Sequence, residues 1–150
     1  MHFCLPATGI RIWLNTDPHV NNSILEGVIN NIRYYMNRSK DEIIERQLEL
    51  DEEWDIERVV ETGAGALTVL GALMTWITEN KGWAILMGIS GALLLQHALH
   101  GRTPVLSCIR KNGIRTQTEI MAEKTLLEVL KEDPQLLTEE RIREIVRSVI

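Results

Sequence analysis

Two uncharged runs, Thr62–Thr78 and Gly82–Gly101, constrain this chain more than any other feature. Only Glu79, Asn80 and Lys81 separate them. A bilayer core about 30 Å thick takes roughly 20 apolar residues of helix, with roughly 17 as a lower bound. The second run meets that length and the first just reaches it. In hydrocarbon the backbone finds no water partner, so such a run closes its hydrogen bonds as helix. The pattern predicts an all-α chain built on a two-helix transmembrane hairpin. The rival is a buried helical hairpin in a soluble all-α bundle. The shortness of the first run, and Thr62, Thr68, Thr75 and Thr78 within it, favour that rival.

Small residues argue for lipid. Gly63, Gly65, Gly71, Gly88 and Gly91 would each cost about 1 kcal/mol against alanine on a water-exposed helix, whereas inside a bilayer small residues let helix backbones approach. Ala84, Gly88 and Ala92 recur at every fourth position of the second run. Ala64, Thr68, Gly71 or Ala72, and Thr75 form a comparable stripe on the first. Two such stripes predict helix packing within the hairpin or across a dimer. Trp76 and Trp83 bracket the turn, where an interfacial aromatic belt belongs. Arg46 and Arg58 precede the first run, and Arg102, Arg110, Lys111 and Arg115 come after the second, against Lys81 alone in the turn. That asymmetry places both termini in the cytoplasm.

Composition excludes some functions. A net charge of −5 supplies no basic field for nucleic acid, and with aromatics at 5% there are few platforms on which bases could stack. Cys4 and Cys108 lie far apart and outside any C-x-x-C pattern, which suits a reducing compartment better than a disulfide framework. No basic segment leads into an apolar core at the N-terminus, so no signal peptide is expected.

With the hairpin, the flanks divide the chain into four segments. Residues 1–22 form an N-terminal arm, either a short strand or disordered, with a turn at Asp17-Pro18. His2 and Cys4 would make half a metal site that nothing nearby completes. Residues 23–61 are amphipathic helices leading into the membrane. Ser23 reads as the cap of the first, which carries Ile24, Val28 and Ile32 at helical period, and Ser39-Lys40-Asp41-Glu42 is a capping box that opens the second. That helix is expected to run past Trp54 into the hairpin, with its acidic stretch solvated and Asp55 paired to Arg58. After the hairpin, residues 102–150 hold cytoplasmic helices. Thr116-Gln117-Thr118-Glu119 caps one that Pro134 stops, and another begins after Thr138. The latter places Ile142, Ile145, Val146, Val149 and Ile150 on one strongly amphipathic face. Such a face can pack on the N-terminal helices, a partner protein or second subunit, or the membrane surface.

Three blocks carry a family resemblance. Glu49 through Arg58, centred on Trp54-Asp55-Ile56-Glu57-Arg58, resembles the entry to the first helix in one branch of the YgaP-like transmembrane domain family. Leu94-Leu95-Gln96-His97-Ala98-Leu99-His100-Gly101 resembles the end of that branch's second helix. Gly113-Ile114-Arg115-Thr116, with Glu119, Ile120 and Glu123, resembles the segment beyond that helix. The resemblance spans roughly Ile24 to Leu130. It implies a bacterial inner-membrane domain of unknown function whose hairpin dimerises, in some members fused to a rhodanese sulfur-transfer domain. Many relatives carry Cys-Pro just after the second helix. Here the pair is Thr103-Pro104, so a thiol role there does not transfer. The chain has no room for a rhodanese domain.

Few residues suggest chemistry. Gln96, His97 and His100 fall at the cytoplasmic end of the second run, beside Glu57, Arg58 and Glu61 of an antiparallel partner. Ionisable groups there warrant a functional hypothesis. His97 and His100 could share a face as metal ligands or a proton relay, with Cys108 as a third ligand or an acceptor thiol activated by Arg110 and Lys111. The plainer reading has them capping the hairpin at headgroup level. The sequence thus predicts a non-catalytic, homo-oligomeric membrane scaffold or accessory subunit, most simply a dimer, without cofactor and with the bilayer as its first partner. The rivals are a sulfur- or redox-handling membrane protein using Cys108 and the histidines, and a soluble bundle binding a partner through Ile142–Ile150.

Overall fold

Local signals set most helix starts. The computed structural model describes residues 6, 7 and 9–149, without the Val149 side chain, and is all-α among them. The order is α1 (Arg11–Leu14), α2 (Pro18–Tyr35), α3 (Lys40–Glu52), α4 (Ile56–Thr78), α5 (Gly82–His100), α6 (Leu106–Lys111), α7 (Gln117–Glu132) and α8 (Glu139–Val149). Both capping boxes form. Ser39 Oγ accepts from Glu42 N at 3.3 Å while Glu42 Oε2 accepts from Ser39 N at 2.9 Å. Thr116 and Glu119 make the same exchange at 3.3 and 2.8 Å. Each box satisfies N–H groups that the first helical turn leaves without partners. As expected, α7 stops just before Pro134 and α8 begins after Thr138.

The structure differs from these expectations in three places. The helix expected from Ser23 begins at Pro18, because Asp17 Oδ1 accepts from His19 N at 2.8 Å and proline at the first position has no N–H to satisfy. The arm read as strand or disordered holds a helical turn, α1, whose Ile12 is buried; His2 and Cys4 lie outside the described residues. Third, α3 does not run on into α4. Glu53 leaves the helix in an extended conformation and accepts from the Arg115 guanidinium. Asp55 then caps α4 by accepting from Arg58 N at 2.8 Å. Asp55 therefore bonds the Arg58 backbone, and the Arg58 guanidinium lies 5.8 Å from the Trp54 ring centre.

Two apolar cores result. The larger joins α2, α3, α7 and α8 through Val28, Ile32, Ile43, Leu50, Leu127 and Leu130. Ile142 and Val146 of α8 are buried in it and Ile145 packs against it, so this face is used within the chain. Ile150 and the Val149 side chain, expected on the same face, lie outside the described residues. The smaller core, Ile12, Ile56, Val60 and Leu106, fastens the base of the hairpin to α1 and α6. Ile56 N donates to Arg115 O at 3.0 Å across the same joint. From it the hairpin of α4 and α5 projects, two adjacent helices each long and apolar enough to cross a bilayer.

Candidate functional site at the base of the hairpin

At its C-terminus α5 turns on Gly101, which has φ 66° and donates its N–H to His97 O at 2.7 Å. The last carbonyls of a helix have no intrahelical donor and carry the negative end of its dipole. Here α1 supplies the donors. Arg11 Nη1 reaches Ala98 O at 2.8 Å and Asn15 Nδ2 reaches His100 O at 2.9 Å. Arg102 Nε holds Asn15 Oδ1 at 3.1 Å, and Arg11 faces Glu57 at 3.6 Å. A Cβ on Gly101 would approach the Arg11 carbonyl carbon to 2.7 Å, so only glycine lets α1 sit this close. No local pattern marks Arg11 or Asn15, since their partners lie 87 and 85 positions away.

The proposed histidine pair divides. His97 is buried with neither ring nitrogen hydrogen-bonded among the described residues, and His100 is exposed. Cys108 is exposed on α6, with Asn112 Nδ2 3.8 Å from its sulfur. Among the described residues no group of three or more His, Cys, Asp or Glu side chains is placed to hold a metal ion. Arg110, expected to favour a Cys108 thiolate, is buried and turned elsewhere. It donates to both Glu119 carboxylate oxygens, at 2.6 and 2.7 Å, and to Asn21 Oδ1 at 2.7 Å. A bidentate pair of this kind commits the charge.

A second buried network lies beside it. Glu123 accepts from Arg46 Nε at 3.1 Å, Asn31 Nδ2 at 3.2 Å and Arg115 Nη1. Burial disfavours the Arg115 charge, but hydrogen bonds and charge from Glu53 and Glu123 outweigh it and raise the guanidinium pKa. Arg115 thereby links α7 to the break between α3 and α4.

The small-residue stripes also part company. Ala64, Thr68 and Gly71 face α5: Ser90 Oγ donates to Ala64 O at 2.7 Å, Thr68 Oγ1 lies 3.3 Å from Ser90 Oγ, and a Cβ on Gly71 would meet Met87 Cγ at 2.7 Å. Ala84, Gly88 and Ala92 do not join this contact. All three are exposed, and a Cβ on Gly88 would meet nothing within 4 Å. Trp76 and Trp83 stand at the far end, Trp76 almost bare and Trp83 half-buried.

A cavity of about 320 Å³ opens between α4, α5 and the segment entering α6, lined by Val59, Gly63, Leu67, Leu93, Leu94 and Val105 among others. Thr103 also lines it; the residue is buried and its hydroxyl has no hydrogen-bond partner among the described residues. In sequence Thr103 stands out only through the resemblance, at the position where the pattern it resembles has cysteine. Comparison with protein-family models, with curated proteins and with solved structures finds no match to this chain.

Proposed function

We propose that this protein is a non-catalytic scaffold or accessory subunit of the bacterial inner membrane, anchored by the α4–α5 hairpin with both termini cytoplasmic. One observation carries the reading: only 11% of the apolar window in either hairpin helix is buried. The core helix of a soluble protein would be mostly covered. Trp76 is 80% exposed, Ile77 68% and Ile85 65%. Monomers in water rarely expose contiguous apolar patches beyond a few hundred Å², and lipid removes that cost. Basic residues concentrated at the hairpin base support the orientation. The outward stripe of Ala84, Gly88 and Ala92 suits a second copy of the same helix. The resemblance to YgaP-like domains, carried by Trp54–Arg58 and Leu94–Gly101, agrees with this reading.

Cell fractionation with an alkaline carbonate wash tests the membrane assignment. The full chain is expected in the pellet; release into the supernatant overturns it. In the same membranes, Gly88→Cys should form an intermolecular disulfide on oxidation while Leu73→Cys should not. Equal cross-linking at both positions sinks the proposed dimer face.

A further inference from the structure

We infer that the depression at the C-terminal end of α5 binds the phosphate group of an anionic membrane phospholipid through Arg102, His100 and Gln96. The inference rests on the membrane reading above and names the lipid that this end of the hairpin would select. The depression has a volume of about 640 Å³ and is lined by Pro6, Leu14, Asn15, Gln96, His100 and Arg102. None of these six is acidic, and Gln96, His100 and Arg102 are all exposed to whatever enters. Arg102 commits Nε to Asn15 Oδ1 at 3.1 Å, which holds the guanidinium beside α1. Its terminal nitrogens have no partner, and it pairs with no carboxylate, among the described residues. A phosphate offers acceptors to both of those nitrogens in the forked geometry that a guanidinium matches. The His100 imidazole carries an N–H in either tautomer and the Gln96 amide carries two, so each can add a donor. Four positions apart on α5, they share a face.

A helix dipole opposes an anion at this end. Here the last carbonyls are already covered: Ala98 O accepts from Arg11 Nη1 at 2.8 Å, His100 O from Asn15 Nδ2 at 2.9 Å, and His97 O from Gly101 N at 2.7 Å. Position favours a lipid over a soluble anion. The 19 residues of α5 span roughly 28 Å at about 1.5 Å each, close to a bilayer core of about 30 Å. With the turn at one surface, His100 and Arg102 fall at headgroup depth on the other. Leu14 lines the same depression, Leu95 and Leu99 directly precede Gln96 and His100, and all three are exposed, giving acyl chains an apolar surface to follow. Basic pockets on the cytoplasmic side of membrane helices favour anionic headgroups.

The test uses the full chain in detergent micelles, titrated with equal amounts of phosphatidylglycerol and phosphatidylcholine bearing the same acyl chains. Native mass spectrometry counts the lipids that stay bound. Expected is a preference for phosphatidylglycerol of about fivefold, the scale of one basic residue at an anionic membrane surface. Arg102→Gln should erase it, and Arg102→Lys, which keeps the charge, should retain most of it. Lys81→Gln, at the turn, should leave it unchanged. Equal binding of the two lipids, a preference that survives Arg102→Gln, or an equal loss in Lys81→Gln overturns the site. So does an equal loss in Arg102→Lys, which would trace the effect to the Asn15 contact. Displacement of the lipid by inorganic phosphate at the same concentration overturns it as well, since the ligand would then be a soluble anion. All of these leave the membrane reading intact. Binding of neither lipid overturns the site alone if the chain stays in the carbonate pellet, and both readings if it is released.

Discussion

The bundle of α2, α3, α7 and α8 and the hairpin of α4 and α5 draw on the same aliphatic residues and place them oppositely. In the bundle Ile32, Leu127 and Ile142 are fully buried and charge stays outside or is paired. In the hairpin Val69, Ile77, Ile85 and Leu95 face outward, and the contact between helices is made by Gly71, Ala64 and Ser90. Polar groups follow the same division. Buried polar groups of the bundle reach across the chain, as Arg46, Asn31 and Arg115 do at Glu123. Hairpin threonines bond backward instead: Thr68, Thr75 and Thr78 donate to Ala64, Gly71 and Met74 carbonyls at 2.8, 2.8 and 2.6 Å. A bond to the carbonyl four positions back satisfies a hydroxyl within its own helix, as the proposed bilayer setting would require. Three of the four threonines that dilute the first run, Thr68, Thr75 and Thr78, are thus self-contained.

Substitutions can break this contrast. The largest effect is expected from Glu123→Leu, which strands Arg115 and Arg46 beside an apolar side chain and should cost about 3–5 kcal/mol. Chemical denaturation of the full chain in detergent, followed by circular dichroism, measures it. Next, Leu127→Ala in the bundle should cost about 3 kcal/mol through the cavity it leaves. Ile85→Ala on the outer face of α5 should stay within about 0.5 kcal/mol; equal losses at the two sites would erase the distinction between the regions. At the joint, Gly101→Ala should cost about 1–3 kcal/mol, because the left-handed backbone strains any other residue and its Cβ has no room beside Arg11.

The smallest effect is on pH dependence. The Arg143 hydrogen bond holds the Glu26 pKa below its ordinary value, and Lys131 followed by Gln47 does the same for Glu128. A depressed folded value means these groups stabilise the fold above the unfolded pKa of about 4.3. That contribution fades as pH falls through the lower folded values. Melting temperatures of the wild type and of a Glu26→Gln, Glu128→Gln variant should converge in acid and separate near neutrality. The gap should shrink in high salt, since both carboxylates are exposed. A gap that widened in acid would contradict the sign.

Periodicity, capping residues and the two uncharged runs determined the all-α class, both capping boxes, the end of α7 and the hairpin turn, because those signals act within a few residues of themselves. The break at Glu53 was hidden. Nothing local stops α3 there, and the helix yields because Arg115, sixty-two positions later, holds that carboxylate. The same holds for the site at the hairpin base. Gly101 is legible as a helix end, but Arg11 and Asn15 as its cap, Arg110 as a buried partner of Glu119 and Thr103 as an unpartnered hydroxyl all depend on which distant segments meet. Which way the Ala84–Gly88–Ala92 stripe faces was likewise decided by packing, since α4 and α5 each carry small residues and only the register around Gly71 and Met87 selects one face. Local hydrogen bonding and solvent preference are written along the chain, whereas the pairing of buried charge and the fit of one helix on another exist only once the chain has closed on itself.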